Sequence, residues 1–305
     1  MDMNTLYKNL SAPAGCVDCV LDTDTYNEVD DQFALAYMLK CPDKMNVKAL
    51  YAAPFYNDKS DSPCDGMHKS YDEILKILKF MGREDMIPNV HKGSESYLAD
   101  EKNFVESEAA RHLCKLAMNY SSENPLYVVA IGAITNVASA LLMQPEIADK
   151  IVVVWLGGHS LDSDNTREFN MHQDVAAARV IWRTAEFIVQ LPCAGVVEHF
   201  SISAPELREY FLGKNKLCNY LAENTIEYTD KRSGSKCWSK PIWDFTAPAF
   251  LMNEGGKFMK YKIIKRHMPN YDNQYDVGET DKYMAYVTHI WRDALMTHMV
   301  DTLTK

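Results

Sequence analysis

No stretch of this sequence approaches the run of about 18 apolar residues that a membrane-spanning helix requires, so an integral helical membrane protein is set aside. The opening segment MDMNTLYKNL lacks a basic start followed by an apolar core, so no secretory signal is recognised and a soluble, cytoplasmic protein is expected. Positive charge is short relative to negative: a formal net charge of −10 leaves no basic face for a nucleic-acid backbone. The brief basic stretch from Lys260 to Arg266 reads as a solvated strand edge. Ser/Gly/Pro-rich tracts and internal repeats are absent, so nothing marks a linker, and residues 1–305 are expected to form one domain. The eight cysteines are scattered and read as reduced thiols. Cys16 and Cys19 have CxxC spacing, but no second pair and no nearby His pair completes a tetrahedral zinc site.

What is present is an alternation of strand and helix patterns. Val17 to Leu21 reads as a buried strand ending in Asp22, and Gln32 to Leu39 as the helix that follows. Val47 to Ala53 is a second strand, and Met67, Tyr71, Ile74, Leu75 and Leu78 recur at helical spacing until Gly82 stops them. Leu126 to Ile131 (strand), Thr135 to Met143 (helix), Ile151 to Leu156 (strand), Asp174 to Thr184 (helix) and Phe187 to Leu191 (strand) continue the rhythm. It predicts an α/β fold with an open, largely parallel mixed sheet flanked by helices. From about Pro205 the pattern becomes helical and polar, with helices over Leu207 to Leu212, Leu217 to Tyr228 and Ile290 to Leu303, so helical C-terminal elaborations are expected. In such sheets ligands bind beyond the carboxyl ends of the strands, where the aspartate-rich loop, the Gly132 loop and the Gly157-Gly158 loop would lie.

Chemistry concentrates in Asp22-Thr-Asp-Thr-Tyr-Asn-Glu-Val-Asp-Asp31, directly after the first strand. Carboxylates crowded together raise one another's pKa or demand a cation, and an all-oxygen donor set favours calcium or magnesium over zinc. An acidic helix start facing solvent is the plainer alternative. A DxD after a strand also opens haloacid-dehalogenase-type phosphatases, but Tyr26 stands where those want Thr or Val, and they leave Asp30-Asp31 unexplained.

The loop resembles the signature of the nucleoside hydrolase family, a strand ending in DxDxxxDD. Three further segments agree with it in order: Ala130-Ile-Gly-Ala-Ile-Thr-Asn-Val-Ala, Arg167-Glu-Phe-Asn-Met-His-Gln-Asp-Val-Ala-Ala and Ile242-Trp-Asp-Phe-Thr-Ala-Pro-Ala. The resemblance implies that Asp24, Asp31, Asp244 and the backbone carbonyl of Ile131 hold one Ca²⁺ ion. Asp24 would also take the proton from a water at the metal. It further implies that Asp30, Asn57 and Asn170 hold the ribose 2′- and 3′-hydroxyls and Glu168 the 5′-hydroxyl. Asn57 also reads as a turn residue in Tyr56-Asn57-Asp58, and Glu168 and Asn170 as helix caps.

Two departures stand out. The acidic loop is two residues longer than the usual pattern, so Asn27 or Glu28 could face the ligand and Asp22 could sit behind the metal ligands. Trp243 also occupies the place before the late aspartate where many members carry a His that protonates the leaving base. Trp there resembles purine-preferring members, in which an aromatic stacks on the base, and an ordinary core tryptophan is the competing view. His91, His159 and His172 are substitute proton donors, each also readable as structural; Tyr228 and Trp238 are weaker candidates in the part that closes over the base. The expectation is a calcium-dependent N-ribosyl hydrolase acting on a nucleoside, with a lean to purines, assembled as a homodimer or homotetramer. The alternatives are a ribosyl-binding member with altered catalysis and a Mg²⁺-dependent DxD phosphatase.

Overall fold

The computed structural model describes residues 2–277 and 280–305. Strands β1 (Val17–Thr23), β2 (Met45–Ala52), β3 (Val90–Lys92), β4 (Leu126–Ala130), β5 (Ile151–Leu156) and β6 (Phe187–Leu191) alternate with helices α1 (Met3–Leu10), α2 (Asp31–Lys40), α3 (Pro63–Met81), α4 (Glu108–Ala117), α5 (Thr135–Met143), α6 (Phe169–Gln173) and α7 (Val175–Thr184). The remainder supplies β7 (Ser201–Ser203), α8 (Ala204–Tyr210), α9 (Lys216–Arg232), β8 (Ser239–Pro241), α10 (Thr246–Leu251), β9 (Met259–Lys265), β10 (His267–Pro269), β11 (Tyr275–Val277), β12 (Tyr283–Ile290) and α11 (Arg292–Leu303). The main sheet has the order β3-β2-β1-β4-β5-β6-β12-β9, parallel throughout except for the antiparallel β12–β9 pair.

Helices cover both faces of this sheet, so its strands are apolar on both sides rather than alternating with polar residues. The side-chain period of two splits each strand between two cores. Tyr127 and Val129 of β4 and Val152 and Val154 of β5 join one core, with α2, α3, α10 and α11. Val128, Ala130, Val153 and Trp155 join the other, with α4, α5 and α7. Helix α2 is buried on every side from Asp31 to Leu39 and therefore shows no polar face in sequence. Helix α3 is amphipathic; the Ser62 hydroxyl accepts from Asp65 N at its start, Pro63 opens it, and Gly82, at φ 65°, closes it in the left-handed conformation that favours glycine.

The C-terminal half departs from the helical expectation. Helices α8, α9 and α11 are present, but β9 and β12 extend the main sheet, and Ile290 belongs to β12 rather than to α11. Tyr-Met-Ala-Tyr-Val-Thr-His-Ile runs into α11 with only Trp291 between them and no turn residue to announce a strand end, which hid β12. The Lys260–Arg266 stretch is corrected in its last residue. β9 is an edge strand with exposed lysines, whereas Arg266 is buried beyond it. Its guanidinium donates to Trp182 O, Ala185 O, Glu186 O and Tyr283 O, covering the carbonyl end of α7, and burial lowers its pKa to about 9. Arg266→Leu removes these donors and leaves buried carbonyls short of partners, an expected loss of roughly 2–3 kcal/mol in urea unfolding. A loss under about 0.5 kcal/mol, the range of ordinary surface changes, contradicts the assignment.

The strand order reverses at β1, whose neighbours β2 and β4 lead away in opposite directions. At such a switch point the loops beyond the strand ends diverge and open a crevice. The loop after β1 carries the aspartates, and the loop after β4 carries Ile131 and Gly132.

Candidate active site

β1 delivers Asp22 at its end, and the chain turns at once through a contact of Asn27 N with Asp24 O (2.7 Å) before α2 starts at Asp31. Asp22, Asp24, Asp30 and Asp31 are all buried, as is Asp244, which stands between β8 and α10. Carboxylate oxygens of Asp30, Asp31 and Asp244 lie within 4.8 Å of one another. Asp24 faces the same group: burial raises its pKa well above the usual carboxylate range, and the charges of Asp31, Asp30 and Glu168 raise it further. Asp244 is raised in the same way by burial and by Asp30, Asp31 and Asp24. Burial lifts Asp31 to about 7 despite the hydroxyl that Thr23 donates to its Oδ1.

Protein donors do not satisfy this cluster. Both oxygens of Asp24, Oδ2 of Asp31 and Oδ1 of Asp30 are buried without a hydrogen-bond partner among the described residues. A buried charge without a partner is costly enough that such groups take up a proton or a cation. The donors are oxygens alone, and oxygen donors suit a hard divalent ion such as calcium or magnesium. The Ile131 carbonyl faces Asn170, whose Nδ2 donates to it at 3.2 Å and to Leu156 O at 3.0 Å. Gly132 lets the β4–α5 loop approach: a Cβ there would stand 3.0 Å from Ala53 Cβ and 3.2 Å from Asp24 N and Cγ.

Asp22 is held behind the cluster. Its Oδ1 accepts from Asn136 Nδ2 at 2.7 Å, and burial lifts it to about 7. The Asn136 amide also donates to Ala52 O, and its Oδ1 accepts from Ser94 N and Oγ, tying the ends of β1 and β2 to the turn after β3. Gly93 makes that approach possible, since a Cβ there would fall 1.9 Å from Ala52 O. Glu168 caps α6 with both carboxylate oxygens: Asn170 N donates to Oε1, and Met171 N and Gly158 N donate to Oε2, each at 2.9 Å. Burial raises it to about 7 against these donors.

The two extra loop residues are each tethered. Asn27 Oδ1 accepts from Asn57 Nδ2 at 2.6 Å, while Asn57 Oδ1 accepts from Lys59 N, so Asn57 is at once a turn residue and a brace for the acidic loop. Glu28 Oε2 accepts from the ammonium of Lys240. Asn27, Glu28, Asp30, Asn170, Trp243 and Asp244 line one cavity of about 130 Å³, together with His159, Glu168, Phe169 and Cys193. A neighbouring cavity of about 200 Å³ lies among Tyr26, Lys59 and Tyr228 and shares Glu28.

Of the three histidines, His159 lines the cavity, with Nδ1 accepting from Ala194 N. His91 stacks on His112 at 4.0 Å beside Tyr51, and His172 is exposed and pairs with Asn273; neither lines the cavity. Trp238 is buried and donates to Asp230 Oδ1, and it too lies outside the cavity lining. Sequence reasoning overlooked Lys240 and Asn136. A lone lysine between Trp238 and Trp243 was the available signal for the first; the second read only as part of a helix start.

The inosine-uridine preferring nucleoside hydrolase family model matches residues 19–288. A probable uridine nucleosidase 2 of Arabidopsis thaliana is 23% identical over 233 residues, covering 69% of each chain. The pyrimidine-specific ribonucleoside hydrolase RihA of Citrobacter koseri is 24% identical over 239 residues, covering 71% of each. Among solved structures, a purine-preferring ribonucleoside hydrolase from Gardnerella vaginalis superposes with a TM-score of 0.73 at 18% identity, covering 94% of this chain and 98% of its own. A plant nucleoside hydrolase, PpNRh1, gives 0.72 at 18% identity, with coverage of 94% and 99%. With the family model spanning most of the chain and the fold matching over its length, the chain belongs to the inosine-uridine preferring nucleoside hydrolase family.

Proposed function

We propose that the chain hydrolyses the N-glycosidic bond of a ribonucleoside, with one calcium ion held by Asp24, Asp31, Asp244 and the carbonyl of Ile131. The observation that carries this reading is the set of buried carboxylate oxygens on Asp24, Asp31 and Asp30 that no group of the described residues satisfies. When bound, the cation neutralises these carboxylates and makes a water at the site more acidic. Asp24, with neither oxygen engaged by a donor, takes the proton of the attacking water. Asp30 receives Asp244 N on Oδ2 and keeps Oδ1 for a ribose hydroxyl. Asn170 has committed its amide donor, which leaves its carbonyl oxygen for the sugar. Glu168, fixed by three backbone donors, accepts the 5′-hydroxyl with its remaining lone pairs, while Asn57, outside the cavity lining, acts on the sugar side only by bracing Asn27, which lines it. Holding the sugar in this way favours the oxocarbenium-like transition state over the resting ring.

Trp243 lines the cavity and is only partly buried, and the Lys240 ammonium lies 3.7 Å from its ring centroid, so a base meets the indole at the edge beside that ammonium, an aromatic contact that favours purines. Relatives carry both pyrimidine-specific and purine-preferring names, so base choice is decided by assay. Incubation with purine and pyrimidine ribonucleosides, with and without a calcium-selective chelator, is expected to give equimolar ribose and free base only when calcium is present. Saturable nucleoside binding with no base released from any of them sinks the hydrolase reading and leaves a binding protein.

A further inference from the structure

Catalysis of N-glycosidic cleavage needs more than an activated water. The base leaves with the electron pair of the broken bond, and the residue before Asp244 is Trp243, whose indole N–H can donate a hydrogen bond but carries no charge and does not ionise. We propose that Lys240 supplies the missing positive charge, its ammonium hydrogen-bonding the departing base.

Lys240 lies on the short strand β8 and is only 5% exposed. Its Nζ sits 3.7 Å from the centroid of the Trp243 ring, donates to Glu28 Oε2, and lies 3.8 Å from Asp30 Oδ1. Glu28, Asp30 and Trp243 line the cavity of the acidic loop, and Lys240 stands directly behind this lining, with its ammonium in reach of all three. Burying an ammonium is costly, and a hydrophobic residue would pack beside Trp243 without that cost. Glu28 engages one of the three N–H donors, and Asp30 stands beyond hydrogen-bond distance, so donor capacity remains. Glu28 also borders the second cavity, which places the Glu28–Lys240 pair at the boundary between the two spaces. The sugar fits the side of Asp30 and Asn170; the base then reaches the side of Trp243 and Lys240. The longer loop acquires a purpose in this arrangement, because it brings Glu28 to hold Lys240 in place.

The chemistry balances without any change of charge on Lys240. The bond between the anomeric carbon and the base nitrogen breaks, and its electron pair goes to the base. Water forms the new carbon–oxygen bond and passes its proton to Asp24, from which it escapes to solvent. The departing base, anionic and hydrogen-bonded by the ammonium, recovers a proton from solvent. A fixed positive charge in a dry site stabilises the developing anion far more than water does.

The proposal rests on the hydrolase reading above, and the test separates the two. Lys240→Met, Lys240→Arg and His159→Gln are compared with the unmodified protein on a cleaved nucleoside and on 4-nitrophenyl β-ribofuranoside, whose phenolate leaves unaided. Lys240→Met is expected to lose roughly 10²–10³-fold in kcat on the nucleoside, the usual loss when one such donor is removed, while staying within about threefold on the nitrophenyl riboside. Lys240→Arg restores part of the loss, and the calcium-induced rise in melting temperature is unchanged in both variants. Equal losses on the two substrates, no loss on the nucleoside, or a selective loss in His159→Gln in place of Lys240→Met overturns the role of Lys240 alone. An unmodified protein that cleaves neither substrate overturns the hydrolase reading and this proposal with it.

Discussion

Asp24→Ala is expected to abolish base release, with kcat/KM falling by roughly 10³-fold or more, and to remove the stabilisation that calcium confers. Asp24 has two buried oxygens with no protein donor, a carboxyl raised by burial and by Asp31, Asp30 and Glu168, and the backbone of Gly132 packed against it. On the proposed reading, one side chain serves as the proton acceptor and also supplies a share of the cation's negative field. Asp24→Asn separates these parts. It keeps the shape and an amide oxygen for a cation but cannot accept a proton, so turnover is expected to fall as far as in Asp24→Ala while some calcium stabilisation survives. In the metal-free protein, deleting one of several mutually repelling buried carboxyls should raise the melting temperature at pH 8, whereas misfolding would lower it. Full turnover in Asp24→Asn, or unchanged calcium stabilisation in Asp24→Ala, removes Asp24 from the assigned role.

Much of this site was legible in the sequence because its parts are local. The aspartate-rich loop follows an apolar strand, and Thr135–Met143, Ile151–Leu156 and Phe187–Leu191 form the predicted elements to the residue. The two strands are read from nearly unbroken apolar runs, which is what covering on both faces leaves, and not from a period-two alternation. Legibility failed where the deciding partner is remote. Lys240 meets Glu28 across most of the chain, and Asn136 meets Asp22 and Ser94 from a different loop, so neither has a local signal. Arg266 looked like one more basic residue at a strand edge because the carbonyls it serves lie at the end of α7. β12 was missed because its partners β6 and β9 are set by tertiary placement and no turn residue separates it from α11. The doubt over the lengthened loop was of the same kind: Asn27 and Glu28 are placed by Asn57 and Lys240, which no spacing within the loop reveals.

The same buried carboxyls couple stability, pH and metal. Burial raises Asp22, Asp31 and Glu168 to about 7, and Asp24 and Asp244 well above their ordinary values. In the unfolded chain such groups titrate near 4. Between about pH 4 and 7 the metal-free folded state therefore holds more protons than the unfolded state, so stability is present at the acid end and lost as pH rises through the folded values, by up to about 1.4 kcal/mol per pH unit for each fully shifted group. A divalent cation bound as proposed would reverse this trend, because it would bind the ionised carboxylates and have to displace protons to do so. At a thousandfold excess over its dissociation constant it contributes about 4 kcal/mol, and that full contribution is reached only where the carboxyls are ionised. Melting scans are expected to show the chelated protein more stable at pH 5.5 than at pH 8, and calcium raising the melting temperature several-fold more at pH 8 than at pH 5.5. Calorimetric titration near pH 6.5 should register protons released on calcium addition, read from the dependence of the heat on buffer ionisation. A calcium effect equal at both pH values, or binding without proton release, means that the cation goes elsewhere and that the acidic cluster is kept neutral by protons alone.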